Sequence, residues 1–497
     1  MKKNFFSSDI FILILLAAAK FILHLLTNHN YGFHRDELAT LHAARNLAWG
    51  FISYPPLAPF LGSIELDLFG ATTVGFRVFS ALSQAIVMVI AGLMAKEFGG
   101  SRRVQILASL AAGINVLSII QGALFQYVAF DFLWVVLIAY FIIRLLNTDD
   151  ARWWLAIGAV IGLGMMTRYT MGVYVIALVL STLLTPARKY LKSKWLWLGA
   201  LIALLIFLPN LIWQIQHDFI SLDYQSAIHA RDVSIGRADS YLPEQLLMAN
   251  PLMLPFWIAG LLFCFRESKY RMIGFMYLFP VLTFLILQGR GYYPAPTYVM
   301  LVAAGMFVFD RWLGTLNLKP ALLYRTLGWS ALLLGFIVVA ILGIPFAPVN
   351  SAVWNINREV HDDFAEQIGW RELTEQVADV YDSLPEEEKA RTGILAGNYG
   401  EAGALDLYGT EYNLPKVISP VNSFWMQGAP PETIDVLVVV GYPDNSASSY
   451  FNSCKLAGAV SNSYGVINEE AELRDIYLCK GLRKPWSEIW DGMRRFQ

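Results

Sequence analysis

The side chains able to do chemistry stand at the edges of apolar runs. Asp36 and Glu37 follow the first run, in "YGFHRDELATLHAARNLAWGFISYPPLAP", and Asp131 opens a later one, in "QYVAFDFLW". Arg168 lies between two runs in "GLGMMTRYTMG", and Arg290, Tyr292 and Tyr293 lie between two more in "LQGRGYYPAPTY". A carboxylate can take the proton of an attacking hydroxyl, and a guanidinium binds an oxyanion through a planar fork. The set therefore has the parts for carboxylate catalysis beside an anionic ligand, with a phosphate site favoured at Arg290. A structural reading stands beside it: Asp36 caps a helix, Glu37 complements its dipole, and the arginines snorkel or pair with Asp131. Gly289 and Gly291 would let backbone amides approach an anion beside Arg290, while Tyr292 and Tyr293 could equally be interfacial anchors.

The elements that must position these groups are membrane helices. Of 497 residues, 56% are hydrophobic and 15% charged, with a mean hydropathy of +0.48, which points to a multi-pass α-helical membrane protein. The net charge of −2 argues against a nucleic-acid partner. Roughly eleven segments reach the ~20 apolar residues a span requires. They centre on 10–27, 76–95, 104–121, 129–146, 153–167, 170–185, 196–213, 246–264, 272–288, 296–310 and 326–344. Lys2 and Lys3 precede an apolar run that lacks a cleavage site, so it reads as an uncleaved first helix. With the N-terminus inside, Lys96, Arg102, Arg103, Arg188, Lys189, Lys192, Arg266, Lys269, Arg271 and Arg311 all fall on the inner face.

This topology predicts a transmembrane domain over 1–345, whose first outer loop is 28–75, and an extracytoplasmic soluble α/β domain over 346–497. In that tail "IDVLVVVGY" is too short to span and reads as a buried strand. "DELATLHAARNLAW" predicts a helix on the outer membrane surface, with Leu38, Leu41, Ala44 and Ala48 on one face and Arg35, His42 and Asn46 on a flank. Pro55-Pro56 would then turn the chain back into the bilayer. Asp36, Glu37, Asp131, Arg168 and Arg290 all reach the outer side, from four separate segments, which predicts a shared polar cavity. His217, Asp218, Asp223, His229, Arg231, Asp232 and Arg237 crowd one outer loop, as solvated residues or as a lid over that cavity. Cys454 and Cys479 are either a disulfide or two buried thiols.

The stretch "HRDELATLHAARNLAWGFISYPPLAP", with "FDFLW", "GLGMMTRYT", "PNLIWQIQH", "GRGYYPAPTY" and "GNYGEAGALDLYG", resembles bacterial C-type glycosyltransferases related to protein O-mannosyltransferases and lipid A aminoarabinose transferases. The resemblance covers nearly the whole chain. It implies the C-type glycosyltransferase fold in a bacterial cytoplasmic membrane and an inverting transfer on its outer face. It also implies a polyprenyl-phosphate-linked sugar donor and an acceptor that is a glycan, lipid or protein. Asp36, with Glu37 beside it, takes the place of the family's acidic residue, Arg290 and Arg168 those of its phosphate-binding bases, and Asp131 that of an acid holding a divalent metal ion in some members. Two departures matter. Ser53-Tyr54 stands where the aminoarabinose transferases carry Glu-Lys and the mannosyltransferases carry His before the prolines, and Arg168 stands where many relatives carry Lys. A transporter or flippase of lipid-linked sugars is the rival from another class, but the charges sit at loop edges on one side, not at a midplane between symmetric halves.

Overall fold

The computed structural model describes residues 8–443, 448–468 and 473–497. Helices dominate up to residue 343 in the order α1 (Asp9–Thr27), α2 (Arg35–Arg45), α3 (Leu57–Phe69), α4 (Val78–Glu97), α5 (Arg102–Gly113), α6 (Val116–Ile120), α7 (Tyr127–Thr148) and α8 (Trp153–Met165). They continue with α9 (Met171–Leu183), α10 (Lys194–Gln216), α11 (Ile220–Ser234), α12 (Tyr241–Met248), α13 (Leu254–Arg266), α14 (Arg271–Ile286), α15 (Tyr298–Leu313) and α16 (Leu318–Gly343).

Each of the eleven expected spans is occupied by helix. Among the described residues, six helices are long and apolar enough to cross a membrane, built on α1, α4, α7, α10, α14 and α16. Two more candidates are bent pairs: α9 with Pro186–Lys192 at 101°, and α12 with Pro251–Arg266 at 77°. The remaining three are shorter than a full span. The 104–121 segment breaks between α5 and α6, where the Asn115 side chain caps α6; α8 has 13 residues and α15 has 16. Helices α13 and α15 cross at Gly260 and Gly305, where any Cβ would run into the opposite backbone. Small residues at such crossings are what close helix packing in a bilayer requires.

The first loop differs from the expectation in two places. Helix α2 stops at Arg45, because Asn46 leaves helical geometry (φ −126°, ψ 63°) and turns its side-chain amide onto the His42 carbonyl. Leu38, Leu41 and Ala44 are buried as expected, while Ala48 is exposed. Pro55-Pro56 does not lead straight into a span; it precedes α3, which carries a buried Glu65 that accepts from the Phe79 amide.

The C-terminal part contains α17 (Ala352–Val360), α18 (Trp370–Asp382), α19 (Glu386–Lys389), β1 (Thr392–Ala396), α20 (Tyr399–Tyr408), β2 (Val417–Ile418), α21 (Asn422–Trp425), β3 (Val436–Val440), β4 (Phe451–Ala459), β5 (Asp475–Leu482) and α22 (Trp486–Met493). The sheet order is β2-β1-β3-β5-β4, with β1, β2 and β3 parallel and both β5 and β4 joined antiparallel. Strand β3 is buried throughout, which explains its unbroken run of Val and Leu. Cys454 and Cys479 face each other across β4 and β5 and are joined by a disulfide.

One face of the sheet packs on α22 through Leu437, Val439, Tyr477, Trp486 and Trp490. The other packs on α18 and α20, and its core runs on without a break into Phe33, Leu38 and Leu41 at α2 and into Phe76, Phe125 and Phe130. The tail is thus fused to the first loop. Helix α20 crosses α2 so closely that a Cβ on Gly403 would lie 2.7 Å from the Leu38 backbone.

Candidate active site

Between this tail and the helical bundle lies a cavity of about 770 Å³. Asp36, Arg168, Arg290, Tyr292 and Tyr293 all line it, together with Arg35, Gln126, Tyr127, Tyr224, Arg231, Arg237 and Tyr399. Five of the expected residues, from three separate segments, therefore meet on one surface.

Asp36 sits in the first turn of α2, opened by a capping box in which His34, not Asp36, is the N-cap and Glu37 closes the box. The Asp36 carboxylate is 41% exposed, enough to meet a ligand. Its Oδ2 accepts from the Gln126 side-chain amide at 2.9 Å, and its Oδ1 accepts from the Tyr399 hydroxyl at 2.8 Å.

Glu37 points elsewhere. Successive residues on a helix are turned by about 100°, so neighbours cannot share one environment. Glu37 is fully buried against the equally buried Arg77, with Arg77 Nε and Nη2 at 2.7 and 2.6 Å from its two oxygens. It also accepts from the backbone amides of His34 (2.8 Å) and Phe125 (2.7 Å). Every lone pair facing the protein is used, and Glu37 is not on the cavity wall. The expectation of a catalytic Glu37 is corrected to a buried ion pair that fixes the loop beneath Asp36.

Arg168 lies on an aromatic bed, with the rings of Tyr293, Tyr127 and Tyr292 at 4.5, 5.2 and 5.5 Å from its guanidinium carbon. It donates to the Tyr292 hydroxyl at 3.3 Å and pairs with Asp131 at 3.5 Å. Planarity matters here, since the guanidinium can lie flat on the rings and aim a fixed fork of N–H groups, whereas a lysine ammonium is a point charge without that geometry. Arg290 is held bidentately by Asp232 of α11, at 2.6 and 3.2 Å, with Arg231 and Arg237 at 3.5 and 3.6 Å from the same carboxylate. Burial alone would raise the Asp232 carboxyl, but Arg290 and its two neighbours outweigh it and hold the group below its ordinary value. Three guanidiniums around one carboxylate leave an excess of positive charge on this wall. Burial likewise opposes ionisation of Tyr292, yet Arg168 and Arg290 overcome it and lower its hydroxyl.

Asp131 lies behind Arg168 and away from the cavity wall, with only its ion pair to Arg168 and one oxygen, Oδ1, without a hydrogen-bond partner among the described residues. A divalent ion needs several oxygen or nitrogen donors. No group of three His, Cys, Asp or Glu gathers anywhere among the described residues, and a guanidinium already faces this carboxylate. The residues around Asp131 do not fit a metal ion, and Asp131 is an orienting partner of Arg168.

Several contributors escaped the sequence. Gln126, Tyr127 and Arg77 carried no pattern of their own, although an arginine in "VGFRVF" at the head of a span was a signal for a buried partner. Asp232 was visible only as one of many loop charges. His361, Asp363 and Glu366, which also line the cavity, lie in "VHDDFAEQ" just after α17. His361 donates through Nε2 to the Leu342 carbonyl at 2.7 Å and faces Asp363 through Nδ1 at 3.2 Å. A neutral ring would present a lone pair to that carboxylate. The imidazolium is favoured: burial would lower its pKa, but Asp363 outweighs burial and raises it.

The helical bundle, the first loop that brings a carboxylate to an arginine-lined cavity, and the C-terminal α/β unit over it form one arrangement. A family model described as dolichyl-phosphate-mannose-protein mannosyltransferase matches residues 53–213, a region holding Asp131 and Arg168 but not Asp36 or Arg290. No curated protein matches the chain in sequence. Among solved structures, the crystal structure of ArnT from Cupriavidus metallidurans in the apo state superposes with a TM-score of 0.59 at 14% identity, covering 94% of this chain and 97% of that one. ArnT from the same organism bound to undecaprenyl phosphate gives the same TM-score and identity over 94% and 98%. The chain thus shares the fold of ArnT, and its residues 53–213 match the mannosyltransferase family model.

Proposed function

We propose that this protein is an inverting glycosyltransferase that moves a sugar from a polyprenyl-phosphate-linked donor to an acceptor hydroxyl on the outer face of the cytoplasmic membrane. One observation carries the reading: Gln126 and Tyr127 are consecutive, and the first holds Asp36 while the ring of the second supports Arg168. Base and guanidinium are thus tied to neighbouring backbone positions at the head of α7, within reach of one substrate. The ArnT structure that holds undecaprenyl phosphate has the same fold, which supports a lipid phosphate on the arginine wall. The basic residues that favour an inside N-terminus and the disulfide in the tail both support the outer-face placement.

In this mechanism the acceptor O–H gives its proton to the Asp36 carboxylate as its oxygen attacks the anomeric carbon. The bond from that carbon to the phosphate oxygen breaks on the opposite face, and polyprenyl phosphate leaves with the electron pair. Arg168 and Arg290, with the Tyr292 hydroxyl between them, offset the charge that develops on the leaving oxygen. A carboxylate base contributes about 10²–10⁴-fold in such reactions, and positioning of the reactants adds to it. Comparing envelope glycans and lipid-linked sugars of cells with and without the protein tests the proposal. Loss of one sugar from one glycan with build-up of its lipid-linked donor on the outer leaflet is expected. Build-up of the donor on the inner leaflet instead would mean transport, not transfer.

A further inference from the structure

The C-terminal unit does more than roof the cavity. We infer that Tyr399 is a positioning residue that fixes the Asp36 carboxylate for proton abstraction, so that the catalytic centre is completed only when the tail is docked on the first loop. The inference rests on the reading of Asp36 as the base.

Tyr399 is held with little freedom. It is the first residue of α20, whose start is closed by a capping box: the Asn398 side chain accepts from the Gly400 amide at 2.6 Å, and the Glu401 side chain accepts from the Asn398 amide at 3.2 Å. Arg35 lies over the Tyr399 ring at 5.3 Å from its centroid and is braced by Glu366 at 3.4 Å. The close crossing of α20 on α2 at Gly403, and Gly400 set against Arg35, leave no room for the two helices to slide. The hydroxyl that reaches Asp36 Oδ1 is therefore set by rigid elements on both sides.

The two donors on Asp36 divide the work. The Gln126 amide takes one oxygen and the Tyr399 hydroxyl the other, which fixes the plane of the carboxylate while its exposed edge stays toward the cavity. Burial and the adjacent Asp36 charge hold the Tyr399 hydroxyl well above its ordinary pKa, so it remains a proton-bearing donor throughout the working pH range. Without it, the carboxylate could rotate about its last bond, and the attacking hydroxyl would meet the base in the wrong plane.

The test uses the full-length protein with a membrane extract as the source of lipid-linked donor, comparing wild type, Tyr399→Phe and Asp36→Asn. Tyr399→Phe keeps the ring against Arg35 and removes only the hydroxyl. Expected is a kcat lower by about ten- to a hundredfold, the loss of one hydrogen bond to a charged group, with the donor KM and the melting temperature unchanged. A kcat within about twofold of wild type would overturn the inference. So would a loss accompanied by a raised donor KM or a lower melting temperature, since either marks a merely structural residue. If Asp36→Asn is inactive while Tyr399→Phe is normal, only this inference fails; if Asp36→Asn turns over normally, the reading of Asp36 as base fails and this inference with it.

Discussion

Replacing Arg77 by Met tests the separation of roles between two adjacent carboxylates. The substitution leaves Glu37 as a fully buried charge with only the His34 and Phe125 amides for company. It also strips the Asn28 and Gly32 carbonyls of the donors that Arg77 gives them at 2.9 and 2.8 Å. Removing one partner of a buried ion pair costs about 3–5 kcal/mol. Adding Glu37→Gln removes the stranded charge but turns its NH₂ group toward one of the two backbone amides, leaving a mismatch of about 1–3 kcal/mol. The double variant is therefore expected to be more stable than Arg77→Met alone, a coupling of opposite sign to independent losses. Thermal unfolding in detergent, followed by loss of monodisperse protein, ranks wild type above the double variant and the double variant above the single one. Transfer activity in the double variant should return with its folded fraction. Arg77→Met melting as wild type, or a well-folded double variant without activity, would refute the assignment of Glu37 to structure.

Other expectations follow from the same geometry. Arg290→Ala should raise the donor KM far more than the acceptor KM, measured by varying each in turn, and it should also loosen α11 because Asp232 loses its bidentate partner. Reducing the Cys454–Cys479 bridge, which closes a separation of 25 residues, should cost the tail about 3 kcal/mol, read as earlier proteolysis of the C-terminal unit in reductant. The His361–Asp363 pair should make stability pH-dependent in both directions. The raised His361 contributes fully below its ordinary 6.5, and that contribution is lost as pH rises through the raised folded value. Burial works against the Asp363 charge, but His361 outweighs it and lowers the carboxyl to about 2, so its contribution is present above 3.8 and lost as pH falls toward that value. His361→Gln should flatten the decline on the alkaline side in melting curves taken across pH.

The sequence made legible whatever depends on composition and local order. Apolar length located the bundle, the all-apolar "VLVVV" marked the buried central strand of the tail, and loop-edge charges picked out Asp36, Arg168 and Arg290, which the fold does bring to one cavity. What it hid are relations between distant segments. Gln126 and Tyr399 lie 90 and 363 residues from Asp36 and are neutral, so neither stood out beside charged neighbours. Adjacency misled for Glu37, because the helix turns it from the cavity into a pocket whose cation, Arg77, comes from the head of α4. For Asp131 the sequence left two readings open, a metal ligand and a partner for the arginines, and only the fold shows Arg168 facing it at 3.5 Å.

The central claim is that Asp36 supplies the base in a cavity whose other wall binds the lipid phosphate. Its most direct measurement is the turnover of purified, membrane-reconstituted Asp36→Asn beside its binding of lipid-linked donor. Loss of transfer by about 10²–10⁴-fold with donor binding retained is the expected result. Transfer at near the wild-type rate by the folded variant would contradict it.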